Sequence, residues 1–383
     1  MPNYFEDRFF MLTQVLIRIL PAELSELYYP CPGPLISRVI VLLPCNIAFQ
    51  NLYIHSMRIA FFSTQPYDRE YFGRHNERHT IEFFEVGLNE QTSGLAKGYE
   101  AICVFVNDKL NAEVMEALAV LKIKIVALRC AGFNNVDLAA AKRYGIRVVR
   151  VPAYSPHAVA EHALALIMTL NRKTHKAYNR VREGNFSIDR LIGFDLYGKT
   201  AGVIGTGKIG HCFARIMTGL GCKVLAFDLI ANRELESIGV TFLPLLQVLK
   251  ESDIISLHCP LTDQTRHLIN QETLDQMKKG SMLINTSRGA LVDATAAIAA
   301  LKSGKLGYLG IDVYEQEEKL FFHDWSESVI EDDVFTRLMS FPNVLITSHQ
   351  GFLTDEALTQ IAKVTFQNLD EFEQGETGSN VLA

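Results

Sequence analysis

Thr200-Ala201-Gly202-Val203-Ile204-Gly205-Thr206-Gly207-Lys208-Ile209-Gly210, with Asp228 ending the next apolar run, is the stretch that decides the fold. Gly205, Gly207 and Gly210 spell G-x-G-x-x-G directly after a buried-strand pattern and at the start of a helical one. The first glycine permits a tight turn, the second lets backbone approach a pyrophosphate, and the third lets helix and strand pack closely. A helix N-terminus there offers unpaired N–H groups and a positive dipole end to phosphate. Asp228 follows Lys223-Val224-Leu225-Ala226-Phe227, where a second parallel strand ends, and its carboxylate is placed to accept from an adenosine ribose. The glycines alone are a weak pointer. With both strands and a correctly spaced acid they specify a dinucleotide site. Asp228 also repels a 2′-phosphate, which favours NAD over NADP, and Arg233 five residues on softens that preference.

Outward from this stretch, short apolar runs alternate with helical ones, the pattern of parallel sheets covered by helices. The second half supplies candidate strands at 200–204, 223–227, 253–257, 281–285, 306–311 and 343–346, the six of a doubly wound dinucleotide fold. Before it, 58–62, 81–86, 101–105, 125–128 and 147–149 read as strands of a smaller α/β unit without a phosphate fingerprint. Ser155 as N-cap and Pro156 in the first turn open a long helix, read over 156–178. The expected fold class is α/β, with two Rossmann-like or flavodoxin-like domains, parallel sheets, and a cleft between them.

A chain of 383 residues favours two domains over one core. It is 48% hydrophobic and 21% charged, and its net charge of −6 gives no reason to expect nucleic-acid or membrane partners. The seven cysteines are scattered without C-x-x-C or another metal-ligand spacing, so no metal is expected, and reduced thiols suit a cytoplasmic location. Residues 1–56 differ from the rest: Pro21, Pro30, Pro32 and Pro34 punctuate them, and Arg38, Pro44 and Asn46 bound the apolar run 39–43. Met57 opens like a first strand, and the expectation is that it is the authentic start, with 1–56 an over-extended reading frame.

Parallel strands present functional groups at their carboxyl ends, in the crevice where ligands bind. Reading off those ends gives His258-Cys259-Pro260, Asn285-Thr286-Ser287-Arg288-Gly289, Asp312, and Ser348-His349, with Glu317 one short loop after Asp312. Arg288, Glu317 and His349 form the set that hydride transfer to a 2-oxo acid requires. A guanidinium can hold carboxylate and carbonyl oxygens, an imidazolium can protonate the developing alkoxide, and a carboxylate can orient that imidazole. Each alone is equally compatible with a duller role: a surface salt bridge, one acid of the run 315–333, a capping residue.

The chain resembles the D-2-hydroxyacid dehydrogenase family, and within it the bacterial fermentative D-lactate enzymes. The resemblance runs from Met57 to Ala383 and rests on Ser63-Thr64-Gln65-Pro66-Tyr67-Asp68, on 128–137 (LRCAGFNNVD), on 151–156 (VPAYSP), on the Gly205–Gly210 loop, on 285–290 (NTSRGA) and on 312–317 (DVYEQE). It implies His349 as acid/base, Glu317 as its partner and Arg288 as substrate clamp. It implies that backbone N–H groups of Ala131 and Gly132 receive the substrate carboxylate, with Phe105, Tyr154 and Phe352 lining the pocket. NAD contacts carry over to Gly205, Gly207, Lys208, Ile209, Gly210, Asp228, Cys259, Pro260, Thr265, Thr286 and Asp312. The substrate domain would be discontinuous, 57–154 with 350–383, around a dinucleotide domain at 155–349.

The implied reaction is NADH-dependent reduction of pyruvate to D-lactate by a homodimer or homotetramer. The alternatives are reduction of phenylpyruvate, hydroxypyruvate or glyoxylate, or an NAD(H)-sensing binding protein without turnover. One local departure is Gly351, where alanine is expected and where the missing methyl is read as loosening the pocket floor.

Overall fold

The structure, a computed structural model, describes residues 56–383. The expectation for 1–56 therefore lies, up to residue 55, outside the described residues.

Among these, β1 (Arg58–Phe61), β2 (Thr80–Phe83), β3 (Ala101–Val104), β4 (Ile125–Leu128) and β5 (Arg147–Arg150) form a parallel sheet in the order β2-β1-β3-β4-β5. A second parallel sheet contains β6 (Thr200–Ile204), β7 (Lys223–Phe227), β8 (Thr241–Phe242), β9 (Ile254–Leu257), β10 (Ser281–Asn285), β11 (Leu306–Ile311) and β12 (Val344–Ile346), in the order β12-β11-β10-β9-β6-β7-β8. Every residue of β3, β4, β9 and β10 is buried, as expected for parallel strands covered on both faces. Seven strands stand where the sequence suggests six. The extra one, β8, is two residues long, too short to show a period.

Strand order reverses around β6, whose neighbours are β7 and β9. That switch point opens a crevice at the carboxyl ends of β6 and β9, where Gly205 and His258 follow. The helix Pro156–Arg172 is capped by Ser155, whose hydroxyl accepts from Ala158 N–H at 3.2 Å. It stops earlier than expected. Lys173 adopts a left-handed φ of 52°, and a separate helix follows over Thr174–Arg182, so 156–178 is not one helix. The reason is tertiary: buried Asn171 pins the later loop by exchanging two 2.7 Å bonds with Phe194, a constraint no local residue announces.

The helix Asp355–Glu373 packs on the first sheet, giving Leu358, Ile361, Phe366 and Leu369 to its core. The chain end then lies along β5, with Val148 N–H donating to the Ala383 carbonyl at 2.9 Å, which covers an otherwise open sheet edge. The acidic stretch 315–333 is mostly exposed but is anchored at two points. Its Leu320 and Phe321 are buried in the second core, and Tyr314 Oη donates to Asp332 at 2.9 Å.

Candidate active site

The glycine loop has the geometry that its spacing implies. Gly205 takes a φ of +90°, and a Cβ there would come 2.6 Å from the Cys259 backbone nitrogen. At Gly210 a Cβ would sit 1.9 Å from the Gly205 carbonyl oxygen, so helix and loop close only with glycine. Gly207 is different, because a Cβ on it meets nothing within 4 Å. It is the N-cap of the helix Lys208–Gly219, whose first N–H groups have no partner within the helix. Asp228 ties this loop down: one carboxylate oxygen accepts from Thr206 N–H at 2.5 Å and Thr206 Oγ1 at 2.8 Å, and the other from Leu229 N–H at 2.7 Å. Burial pushes this carboxyl up, but those hydrogen bonds outweigh it and hold Asp228 below its ordinary value.

A cavity of about 500 Å³ opens at the switch point, and Arg288, Asp312 and His349 from three strand ends of the second sheet meet there with Ala131, Gly132, Tyr154 and Phe352. Glu317 stands behind His349, with Nδ1 and Oε1 2.7 Å apart. A carboxylate only accepts, so Nδ1 carries the proton and Nε2 is left without a described partner. The second oxygen of Glu317 accepts from Tyr314 N–H at 2.9 Å, which fixes the carboxylate.

His349 itself sits in a left-handed conformation, φ 49°, which a non-glycine residue adopts only when surroundings impose it. The imposing group is Asp312. Its backbone carbonyl accepts from His349 N–H at 2.7 Å, and its side chain accepts from Thr347 Oγ1 at 2.5 Å, Gln350 N–H at 2.9 Å and Gly351 N–H at 2.8 Å. His162 completes the set at 3.2 Å. Burial pushes the Asp312 carboxyl up, but bonds from His162 and Thr347 hold it below the ordinary value. A methyl at Gly351 would press on Asp312 at 3.0 Å, so glycine leaves no gap there; the expected loosening of the pocket floor is not found.

A second imidazole, His258, lines the same cavity but is wedged against Phe213 with its Nε2 2.9 Å from Ser256 Oγ. Burial pushes it down to about 3, so it is neutral near pH 7. Of the two rings, only His349 has a carboxylate partner. The Arg288 guanidinium closes on Gly132 through Nη2, 2.2 Å from where a Cβ would lie. Tyr154 and Phe352 stack edgewise with centroids 6.3 Å apart, and burial raises the Tyr154 phenol to about 12. Phe105 stands one layer back. It packs on Phe352 at 5.7 Å and on Phe322 at 5.4 Å and faces a neighbouring cavity of about 440 Å³.

Residues 164–351 match the family model described as "D-isomer specific 2-hydroxyacid dehydrogenase, NAD binding domain". The D-lactate dehydrogenase of Escherichia coli K12 is 54% identical over 328 residues, covering 85% of this chain and all of that protein. The chain belongs to the D-isomer-specific 2-hydroxyacid dehydrogenase family. Two solved structures are similar as well. One is the pyruvate reductase of Chlamydomonas reinhardtii, at TM-score 0.81 and 45% identity over 85% of this chain and 98% of that one. The other is a D-lactate dehydrogenase from Aquifex aeolicus complexed with NAD and lactic acid, at TM-score 0.73 and 36% identity over 83% and 96%.

NAD is therefore the cofactor of this dehydrogenase, and its residues fit the group. A Cβ on Gly207 would meet nothing within 4 Å, Ile209 in the first turn of the helix it caps lines the cavity, and so does Thr286, whose buried hydroxyl has no partner among the described residues. Ile209, Cys259 and Pro260 line the same cavity, with the Cys259 thiol pushed up to about 11 by burial and hence uncharged. Lys208 is exposed at the helix start. Thr265 turns inward on its own loop, donating to the Pro260 carbonyl at 2.7 Å, and does not line the cavity. The sequence reading missed Thr206, His162 and Thr347. His162 carried a signal, being a polar ring in the apolar stripe of a helix.

Proposed function

We propose that this dehydrogenase reduces pyruvate to D-lactate with NADH. The observation that carries the reading is the shared cavity of Arg288, His349 with its Glu317, and the Ala131–Gly132 backbone. NADH supplies the hydride to the substrate carbonyl carbon when bound. Arg288 holds the carboxylate and polarises the carbonyl oxygen. The Ala131 and Gly132 N–H groups, which have no acceptor among the described residues, take up the remaining carboxylate oxygen. His349, oriented by Glu317, donates a proton from Nε2 to the oxygen that becomes the alkoxide. Tyr154 and Phe352 keep water out and leave room for a small side chain. The first sheet with the helix Asp355–Glu373 is the substrate domain in this reading, and the second sheet holds NAD.

A homo-oligomer built through the 174–197 region is part of the same proposal. The helix Thr174–Arg182 buries no residue of its own, and Phe186, Ile188, Ile192 and Tyr197 are 76–85% exposed. Such a patch is covered best by a second copy. The free thiols of Cys103, Cys130, Cys212, Cys222 and Cys259 suit a reducing cytoplasm, where a fermentative role would place the enzyme. The test is NADH oxidation with pyruvate, the chirality of the product, and a panel of phenylpyruvate, hydroxypyruvate and glyoxylate. A D-product and highest kcat/KM with pyruvate support the reading, and a far better rival acid overturns it.

A further inference from the structure

Arg150 takes no part in the chemistry above, yet it lines the same cavity as Arg288 and His349. It ends β5, in register with Leu128 at the end of β4. Its backbone is clamped on both sides: its N–H donates to the Asn380 carbonyl at 3.1 Å, and its carbonyl accepts from the Asn368 side-chain amide at 2.9 Å. From that base the side chain crosses to the loop after β4. There Nη1 donates to the Ala131 carbonyl at 2.9 Å, and the guanidinium lies 5.0 Å from the Phe133 ring centre.

The bond to Ala131 has a directional consequence. The Ala131 carbonyl and the Gly132 N–H belong to one peptide plane, and no described peptide bond is cis, so the two dipoles point opposite ways. Gly132 has no side chain to resist rotation of that plane. Arg150 supplies the resistance by holding the carbonyl, and the N–H is turned away from it, unpaired among the described residues. The next plane is held likewise, with the Cys130 thiol 3.2 Å from the Gly132 carbonyl.

We propose that Arg150 is a positioning residue for the 2-oxo acid: by fixing the Ala131 carbonyl it presents the Gly132 N–H to the substrate carboxylate. This rests on the proposed role of that backbone as carboxylate receptor. The guanidinium acts through the peptide, so its loss weakens substrate binding far more than the chemical step or NADH binding.

Arg150→Met and Arg150→Lys separate these effects. Met keeps the stem and donates nothing, whereas Lys keeps a charged donor of similar reach. The readouts are pyruvate KM and kcat, the Ki of the pyruvate isostere oxamate, and the Kd of NADH by fluorescence. R150M raises KM and Ki about tenfold or more, the size of one lost charge-assisted hydrogen bond. Its kcat stays within about threefold and its NADH affinity is unchanged, while R150K recovers most of the loss. An R150M enzyme with wild-type KM overturns the proposal. So does equal damage to KM, kcat and NADH affinity in both variants, which would mark a structural role. A wild-type enzyme that reduces no 2-oxo acid overturns the underlying reading instead.

Discussion

His349 and Glu317 are joined by a 2.7 Å contact between Nδ1 and Oε1 across 32 residues of sequence, in a ring whose backbone is held left-handed. The carboxylate chooses the tautomer and so decides which ring nitrogen faces the substrate. Glu317→Gln preserves the shape and removes the charge. Reduction kcat then falls about 10- to 100-fold at unchanged NADH affinity, the span expected for a partner that orients an acid–base group. Steady-state kinetics with parallel NADH titration check this.

Gly132→Ala tests the clamp without touching its charge. The new methyl lies 2.2 Å from Arg288 Nη2 and its three nearest neighbours all belong to that flexible side chain, so the fold stands while the guanidinium shifts. Pyruvate kcat/KM drops by about 100-fold, as for small misplacements of a reacting group. The thermal midpoint and NADH affinity stay at wild-type values.

Asp228→Ala removes a repulsion and a tether together. The ratio of NADPH to NADH efficiency rises about tenfold or more, because a 2′-phosphate no longer faces a carboxylate. NADH affinity itself falls, since Thr206 loses both bonds that hold the phosphate loop. An unchanged ratio removes Asp228 from the ribose site.

Asp312→Asn unlocks the turn that carries His349. An amide puts a donor against the Gln350 or Gly351 N–H, leaving a buried group unsatisfied at a cost of about 1–3 kcal/mol. The pH dependence has a definite sign. The folded Asp312 carboxyl lies below its ordinary value, so its stabilisation is complete above the unfolded pKa of about 3.9 and is lost as pH falls through the lower folded value. The midpoint gap between wild type and D312N is therefore full at pH 7 and narrows in acid, measurable by thermal melts across pH.

Strands were legible because short, largely buried apolar segments alternate with helical ones: β4, β6, β7, β10 and β11 begin and end where the sequence places them. Arg288, Asp312 and His349 were legible as residues following strand ends, because parallel strands deliver their last residues to one edge, whereas the pocket-lining residues of the first half came from the family resemblance alone. What sequence could not carry is the cross-chain hydrogen bonding. Asp312 was placed at a strand end, but its grip on Thr347, Gln350 and Gly351 joins segments 35–39 residues apart. The stop at Lys173 was hidden likewise, since neither glycine nor proline marks it.

The most direct measurement is single-turnover NADH oxidation with saturating pyruvate, comparing wild type with His349→Asn, with NADH binding followed in the same samples. Asparagine is chosen because it tolerates the left-handed backbone at this position. The rate falls by about 10²–10⁴ with NADH affinity intact if His349 is the proton donor. A variant that turns over within about tenfold of wild type contradicts the account, because that lies below the contribution of a positioned acid.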